Sequence, residues 1–410
     1  MPFDCLSGAT RLSRLALIAG AAAVLAAPAA SAATANTPIR PVTDRHTIAS
    51  QSNWPQFRYG HGHTGFNSAE TILSTGNVAK LKRAWAAAAP GMVDSSPAVV
   101  KGVVYVGTNS HRVVAYQATT GKLLWKVVTG GEVLSSPTVA GGVVYVGSAD
   151  GHLYALKAST GQRLWRFPAG PVYSSPALAS GVLYVTGATT SGVPVTYAVT
   201  AATGHKLWSS PGHGDLTSSP AVANGMVYAE TNFGGGGTLW ALSAATGKKV
   251  WSLSLGPPEG GSCPIDPSPA VANGVVYVSG GEDGAAAVNA TTGKELWGGS
   301  PVNILVCSSP AVANGVVYTD SGPVVAALNA STGKLLWFFR NASGNPSPAV
   351  ANGVLYLATG GGVVYALRAS TGKELWHSHI PSHVNQSSPV VANGRLYLGS
   401  GSKQVFAFAP

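Results

Sequence analysis

The chain has 410 residues, a formal net charge of +10, 45% hydrophobic residues and only 10% charged ones. That balance excludes a disordered chain, which would be poor in apolar and rich in charged residues. The length exceeds that of an ordinary single core, so the chain needs several domains or an array of stacked units.

At the amino terminus, Arg11 and Arg14 precede an apolar run from Leu15 to Ala27, and Ala30, Ser31 and Ala32 form a small-residue cleavage site. These are the three parts of a secretory signal peptide. The run is short for a membrane span, and Cys5 lies before it, not after it where a lipid would be attached. Residues 1–32 are therefore expected to be a signal peptide and 33–52 a flexible Thr-, Ala- and Pro-rich leader. The mature chain is expected to be secreted, extracellular or periplasmic, with no transmembrane segment.

Residues 53–79 carry Trp54, Phe57, Tyr59 and Phe66, enough aromatic surface to dock on the rest of the chain. His61 and His63 lie there among glycines and read as polar loop residues, not as metal ligands.

From residue 80 to 410 one pattern repeats: Ser-Pro, a short apolar run, Asn-Gly or Gly, Val-Tyr-Val, Ala-Leu-x-Ala, Thr-Gly-Lys, Leu-Trp. Its tryptophans are Trp85, Trp125, Trp165, Trp208, Trp251, Trp297, Trp337 and Trp376, at intervals of 39 to 46 residues. Each unit holds four short β-rich runs ended by turn residues, with no helical period between them. Four strands in a unit of this length make a propeller blade.

Trp85 ends a fourth strand with no first three before it, whereas the last unit has its Ser388-Pro389 start and stops at Pro410 without a Trp. The expected fold is all-β: an eight-bladed propeller with four antiparallel strands per blade, closed by pairing of the amino-terminal strand with the last blade.

In such a wheel the first-to-second and third-to-fourth turns share one face. Their Asn-Gly and Thr-Gly sequences, such as Asn224-Gly225 and Thr160-Gly161, recur blade after blade and read as scaffold. The other face carries loops that differ in every blade, so function is expected there. The eight tryptophans, identically placed, read as core, and Trp240 in a third strand also reads as core.

Cys263 and Cys307 lie in consecutive inter-blade loops, and an oxidising compartment points to a disulfide between them. The positive charge is spread over turns, at Lys122, Lys206, Lys248, Lys294, Lys334 and Lys373. A nucleic-acid site would concentrate it with aromatic partners, so no nucleic-acid partner is expected; attraction to an anionic cell-envelope polymer remains open.

The motif Ala-Leu-x-Ala-x-Thr-Gly-x-x-Leu-Trp, as in Ala155 to Trp165 and Ala366 to Trp376, resembles the repeat of the pyrroloquinoline-quinone (PQQ) dehydrogenase-like propellers. Trp54-Pro-Gln-Phe-Arg, followed by Asn77-Val and Trp85, looks like that superfamily's lead-in segment. The resemblance implies an eight-bladed wheel shared by quinoprotein alcohol dehydrogenases and by non-enzymatic members, such as a propeller lipoprotein of β-barrel assembly. It would bring PQQ and Ca²⁺ as cofactors if the chain were of the enzymatic kind. That kind carries a vicinal cysteine pair and often a Cys-x-x-Cys-His haem segment, and this sequence has neither. Gln117, Lys157, Thr200, Ser243, Asn289, Asn329 and Arg368 stand where the family repeat often has Asp.

Alignment of the repeats on Ser-Pro brings Asp94, Leu134, Tyr173, Thr217, Asp266, Cys307, Asn345 and Gln386 to one position before the innermost strand. Their side chains are expected to ring the channel mouth on the variable face, with Glu132 and Asp215, two residues earlier, extending the acidic rim. That makes Asp94, Glu132, Tyr173, Asp215, Thr217, Asp266, Asn345 and Gln386 the candidate ligand-binding set, against a plain water-filled entrance. His377, His379 and His383 are a loose histidine cluster and no metal site is assigned to them. The absence of hydrolase and phosphate-loop motifs leaves two readings. One is a monomeric, secreted, non-catalytic scaffold that binds a protein or envelope polymer. The other is a PQQ- and calcium-dependent dehydrogenase of alcohols or sugars.

Overall fold

The computed structural model describes residues 52–233, 236–256, 267–279, 284–299, 308–320, 324–340 and 346–410. Eight four-stranded antiparallel sheets follow one another, and we call their strands A to D from the channel outward. In blade 1 these are Ala98–Val100, Val103–Thr108, Arg112–Gln117 and Leu123–Val128. Strand A is only three residues long in every blade, and B and C are buried along most of their length, because each is sandwiched between neighbouring sheets. Among the described residues no helix is long and apolar enough to cross a membrane.

The ring closes as the offset repeats require. In blade 8, strand D is Lys82–Ala88 from the amino-terminal side, and it pairs antiparallel with strand C, Gln404–Ala409, from the carboxyl end. Strand B, Arg395–Ser400, and strand A, Val390–Ala392, complete the sheet.

Each tryptophan locks its blade to the next. The Trp125 indole Nε1 donates to the Ala158 carbonyl at 2.8 Å, and the same bond recurs to Ala201, Ala244, Ala290, Ala330 and Ala369. Trp85 makes it to Ala118 of blade 1. The ring lies on the glycine of the neighbouring Thr-Gly turn: at Gly247, with φ +69°, a Cβ would stand 2.5 Å from the Trp208 ring. Glycine is needed there twice over, for the left-handed backbone and for the close approach.

In six blades the strand-B tyrosine donates to that same carbonyl, as Tyr228 does to Ala290 at 3.0 Å. The seam between blades 7 and 8 differs, because no Thr-Gly turn joins strands C and D of blade 8. Trp376 donates instead to the Leu81 carbonyl and packs edge-on to Phe408, while the buried Tyr356 hydroxyl has no partner among the described residues.

Candidate functional site

The channel begins with a problem of backbone chemistry. Eight innermost strands present an inward edge of unpaired N–H and C=O groups, and buried groups of this kind must find partners. Residues 52–67 solve it by running once around the axis. Trp54 exchanges both backbone bonds with Val99 of blade 1. Pro55 O, Gln56 Oε1, His61 O, Gly62 O, Thr64 O and Gly65 O then accept from the equivalent strand-A N–H in blades 2 to 7, at 2.7 to 3.0 Å. Phe66–Asn67 adds a parallel strand to blade 7, and Asn67 Nδ2 reaches the Val391 carbonyl of blade 8 at 2.8 Å.

At the centre of this strap lies Arg58, 3% exposed. Its Nη1 and Nη2 donate to the inward carbonyls of Pro348 and Pro310, at 2.9 and 2.7 Å. Burial lowers its pKa to about 9, so it stays cationic at neutral pH among carbonyl dipoles. His63 beside it is buried, and neither ring nitrogen has a partner among the described residues. Burial first, and then the Arg58 charge, lower its pKa to about 3, which keeps the ring neutral.

Outward from the strap, the Ser-Pro motif forms a closed circuit. The backbone N–H of Ser96 donates to Ser136 Oγ, and the relay passes through Ser175, Ser219, Ser268, Ser309, Ser347 and Ser388 back to Ser96. The eight bonds measure 2.8 to 3.1 Å, one per blade junction. In five blades the preceding serine ties its own blade together, as Ser95 does by accepting from Gly107 N–H at 2.7 Å. The ring serines line a cavity of about 70 Å³ with Phe57 of the strap.

Toward the variable face, the candidate mouth residues separate into groups. Asp94, Leu134, Tyr173, Thr217 and Gln386 line the cavity together. Asp94 is buried and accepts from Asn385 Nδ2 at 3.2 Å. Burial pushes its carboxyl above the usual range and the nearby Glu132 adds to the rise, while Asn385 and His383 oppose it. Glu132 is exposed and does not line the cavity. Asp215 braces its own loop, where its Oδ1 accepts from the Thr217 backbone N–H and hydroxyl at 2.9 and 3.1 Å. Asp266, Asn345, Cys263 and Cys307 lie outside the described residues.

The histidine cluster is divided. His377 and His379 lie on the outermost strand of blade 7, where His377 Nδ1 is 2.7 Å from Glu374, whereas His383 stands in the loop beside Asp94. Among the described residues no three His, Cys, Asp or Glu side chains come together as a metal would require.

Sequence reasoning missed the strap's circular path, Arg58 and the serine circuit. Its one available signal was the serine that directly precedes proline in all eight starts.

Three stretches, residues 75–176, 167–270 and 235–410, match the PQQ-like repeat profile described as outer membrane protein assembly factor BamB. The chain belongs to this family of PQQ-like repeat β-propellers. Among solved structures, a europium-containing methanol dehydrogenase is similar over 88% of this chain and 98% of its own, at 13% identity and a TM-score of 0.73. BamB from Moraxella catarrhalis is similar over 80% and 100%, at 20% identity and a TM-score of 0.66. The quinohemoprotein alcohol dehydrogenase from Comamonas testosteroni covers 89% and 81%, at 18% identity and a TM-score of 0.67. At these identities the likeness is one of fold. No curated protein matches the chain in sequence.

A quinone and its calcium can be tested against the described mouth. Pockets for such ligands measure roughly 300 Å³ or more, and the cavity here is about 70 Å³. Calcium takes about 6–8 oxygen ligands, several of them carboxylates. Asp94 is the single carboxylate in the described lining. The described residues do not fit the pair.

Proposed function

We propose that the chain is an exported, non-catalytic propeller that holds a protein partner on its variable loop face. The observation that carries this reading is the filled channel: the strap runs around its axis, and the cavity at its mouth is about 70 Å³ with Asp94 as the single carboxylate in the described lining. The second-to-third turns and the blade connections are then the surface that distinguishes one blade from another. The family description, an outer membrane assembly factor, supports a protein partner and an envelope location. The signal-like first 32 residues support export. In this reading the Cys263 and Cys307 thiols form a disulfide that holds two adjacent variable loops.

Photo-crosslinking in the native host tests the placement. A benzophenone side chain at Leu134, Pro171 or Glu132 should give a discrete crosslinked protein, and the same probe at Thr203 or Ser331 on the opposite face should not. Equal crosslinking from both faces, or none from the variable one, contradicts the reading.

The dehydrogenase reading is favoured by one feature, the buried Asp94 carboxyl with Glu132 close by, since a carboxyl with a raised pKa suits proton transfer.

A further inference from the structure

The turn face of the wheel carries a ring of positive charge, one cation per blade. Strand D leaves the Thr-Gly turn with an exposed lysine or arginine in every blade, from Lys122 and Arg163 through Lys248 and Lys334 to Lys373, with Lys82 serving the eighth. Among the described residues the exposed carboxylates at these strand starts are Glu295 and Glu374, and Glu374 is already engaged by His377. Meander topology puts all eight cations on one face, whereas the opposite face mixes Glu132 and Asp150 with Arg340 and Lys403. Beside them runs a belt of aliphatic side chains at the position before the docking tryptophan. Leu124, Leu164, Leu207, Val250, Leu296 and Leu336 are 48 to 55% exposed in six consecutive blades. Their exposure means that they contribute little to the core.

We infer that this turn face is a docking surface for an anionic lipid bilayer. The charges form a flat ring, which complements a flat sheet of phosphate headgroups, and the belt supplies shallow apolar contact at the interface. A single-stranded polyanion would instead need a continuous groove with stacking aromatics, and the cations here are separated by whole blades. Docking through this face leaves the variable face pointing away from the bilayer, free for a partner.

Co-sedimentation of the purified chain with vesicles tests the inference. Mixed phosphatidylglycerol and phosphatidylcholine vesicles should bind it about tenfold or more tightly than phosphatidylcholine alone, and high salt should abolish the difference. The combined Lys122→Glu, Lys206→Glu, Lys294→Glu and Lys334→Glu variant should lose binding while keeping its melting transition. Lys403→Glu with Arg340→Glu, at the opposite end of the strands, should retain it. If the reversed variant fails to fold, the four Lys→Gln changes provide the same comparison. No binding to anionic vesicles at low salt, binding unaffected by the four changes, or binding to soluble heparin but not to vesicles would each overturn the inference.

Discussion

Tyr228 and Tyr356 occupy the same strand position in blades 4 and 7, yet their hydroxyls meet different surroundings. Tyr228 donates to the Ala290 carbonyl, whereas Tyr356 faces the seam closed by the amino-terminal strand and has no partner among the described residues. A net hydrogen bond is worth about 1 kcal/mol, and an unpaired buried hydroxyl is itself a cost. Tyr228→Phe should therefore destabilise the protein by about 1 kcal/mol in urea unfolding, and Tyr356→Phe should leave stability unchanged or raise it. Equal losses at the two positions would contradict the seam's special character. His63 gives a second residue-scale test. Its folded pKa, about 3, lies below the ordinary value of 6.5. The unfolded chain takes up the proton first as pH falls, so stability is fully present above about pH 6.5 and is lost toward pH 3, by about 1.4 kcal/mol per unit. His63→Leu should flatten the decline in melting temperature over that window, and an unchanged pH profile would refute the assignment.

The strap is an element that no periodicity announces. Its contacts link residues 52–67 to strands throughout the chain, one blade after another, and its own sequence has no repeat to reveal the path. The tryptophan spacing, by contrast, repeats around the whole wheel, and the displaced Trp85 makes the closure of blade 8 legible in the sequence. The serine circuit lies between these cases. Ser-Pro is visible as a strand start, but its hydrogen bonds join residues about 40 positions apart, and only the curvature of the wheel brings them into reach. Deleting the chain through Ala79 should cost several kcal/mol, since the inward N–H groups of seven strands lose their partners. Deleting it through Ala88 also removes strand D of blade 8 and leaves an open sheet edge, so size-exclusion chromatography should show oligomers. A monomer of unchanged melting temperature after either deletion would contradict the strap's role.

At the scale of the molecule, the repeats specify the wheel and the loops between them specify its use. Alignment on Ser-Pro places Asp94, Tyr173, Thr217 and Gln386 together around the cavity, because strand register fixes where a residue stands. It does not foresee that Asp215 binds its own loop or that Glu132 stands outside the lining, because side-chain direction in a loop follows local turn chemistry. The mouth of this channel, on the reading proposed above, is not a cofactor pocket. Calorimetric titration of the purified chain with PQQ in the presence of Ca²⁺ tests that claim most directly. A scaffold gives no saturable heat and no dye reduction on alcohols or sugars. Saturable binding that Asp94→Asn weakens, accompanied by turnover, would contradict the claim.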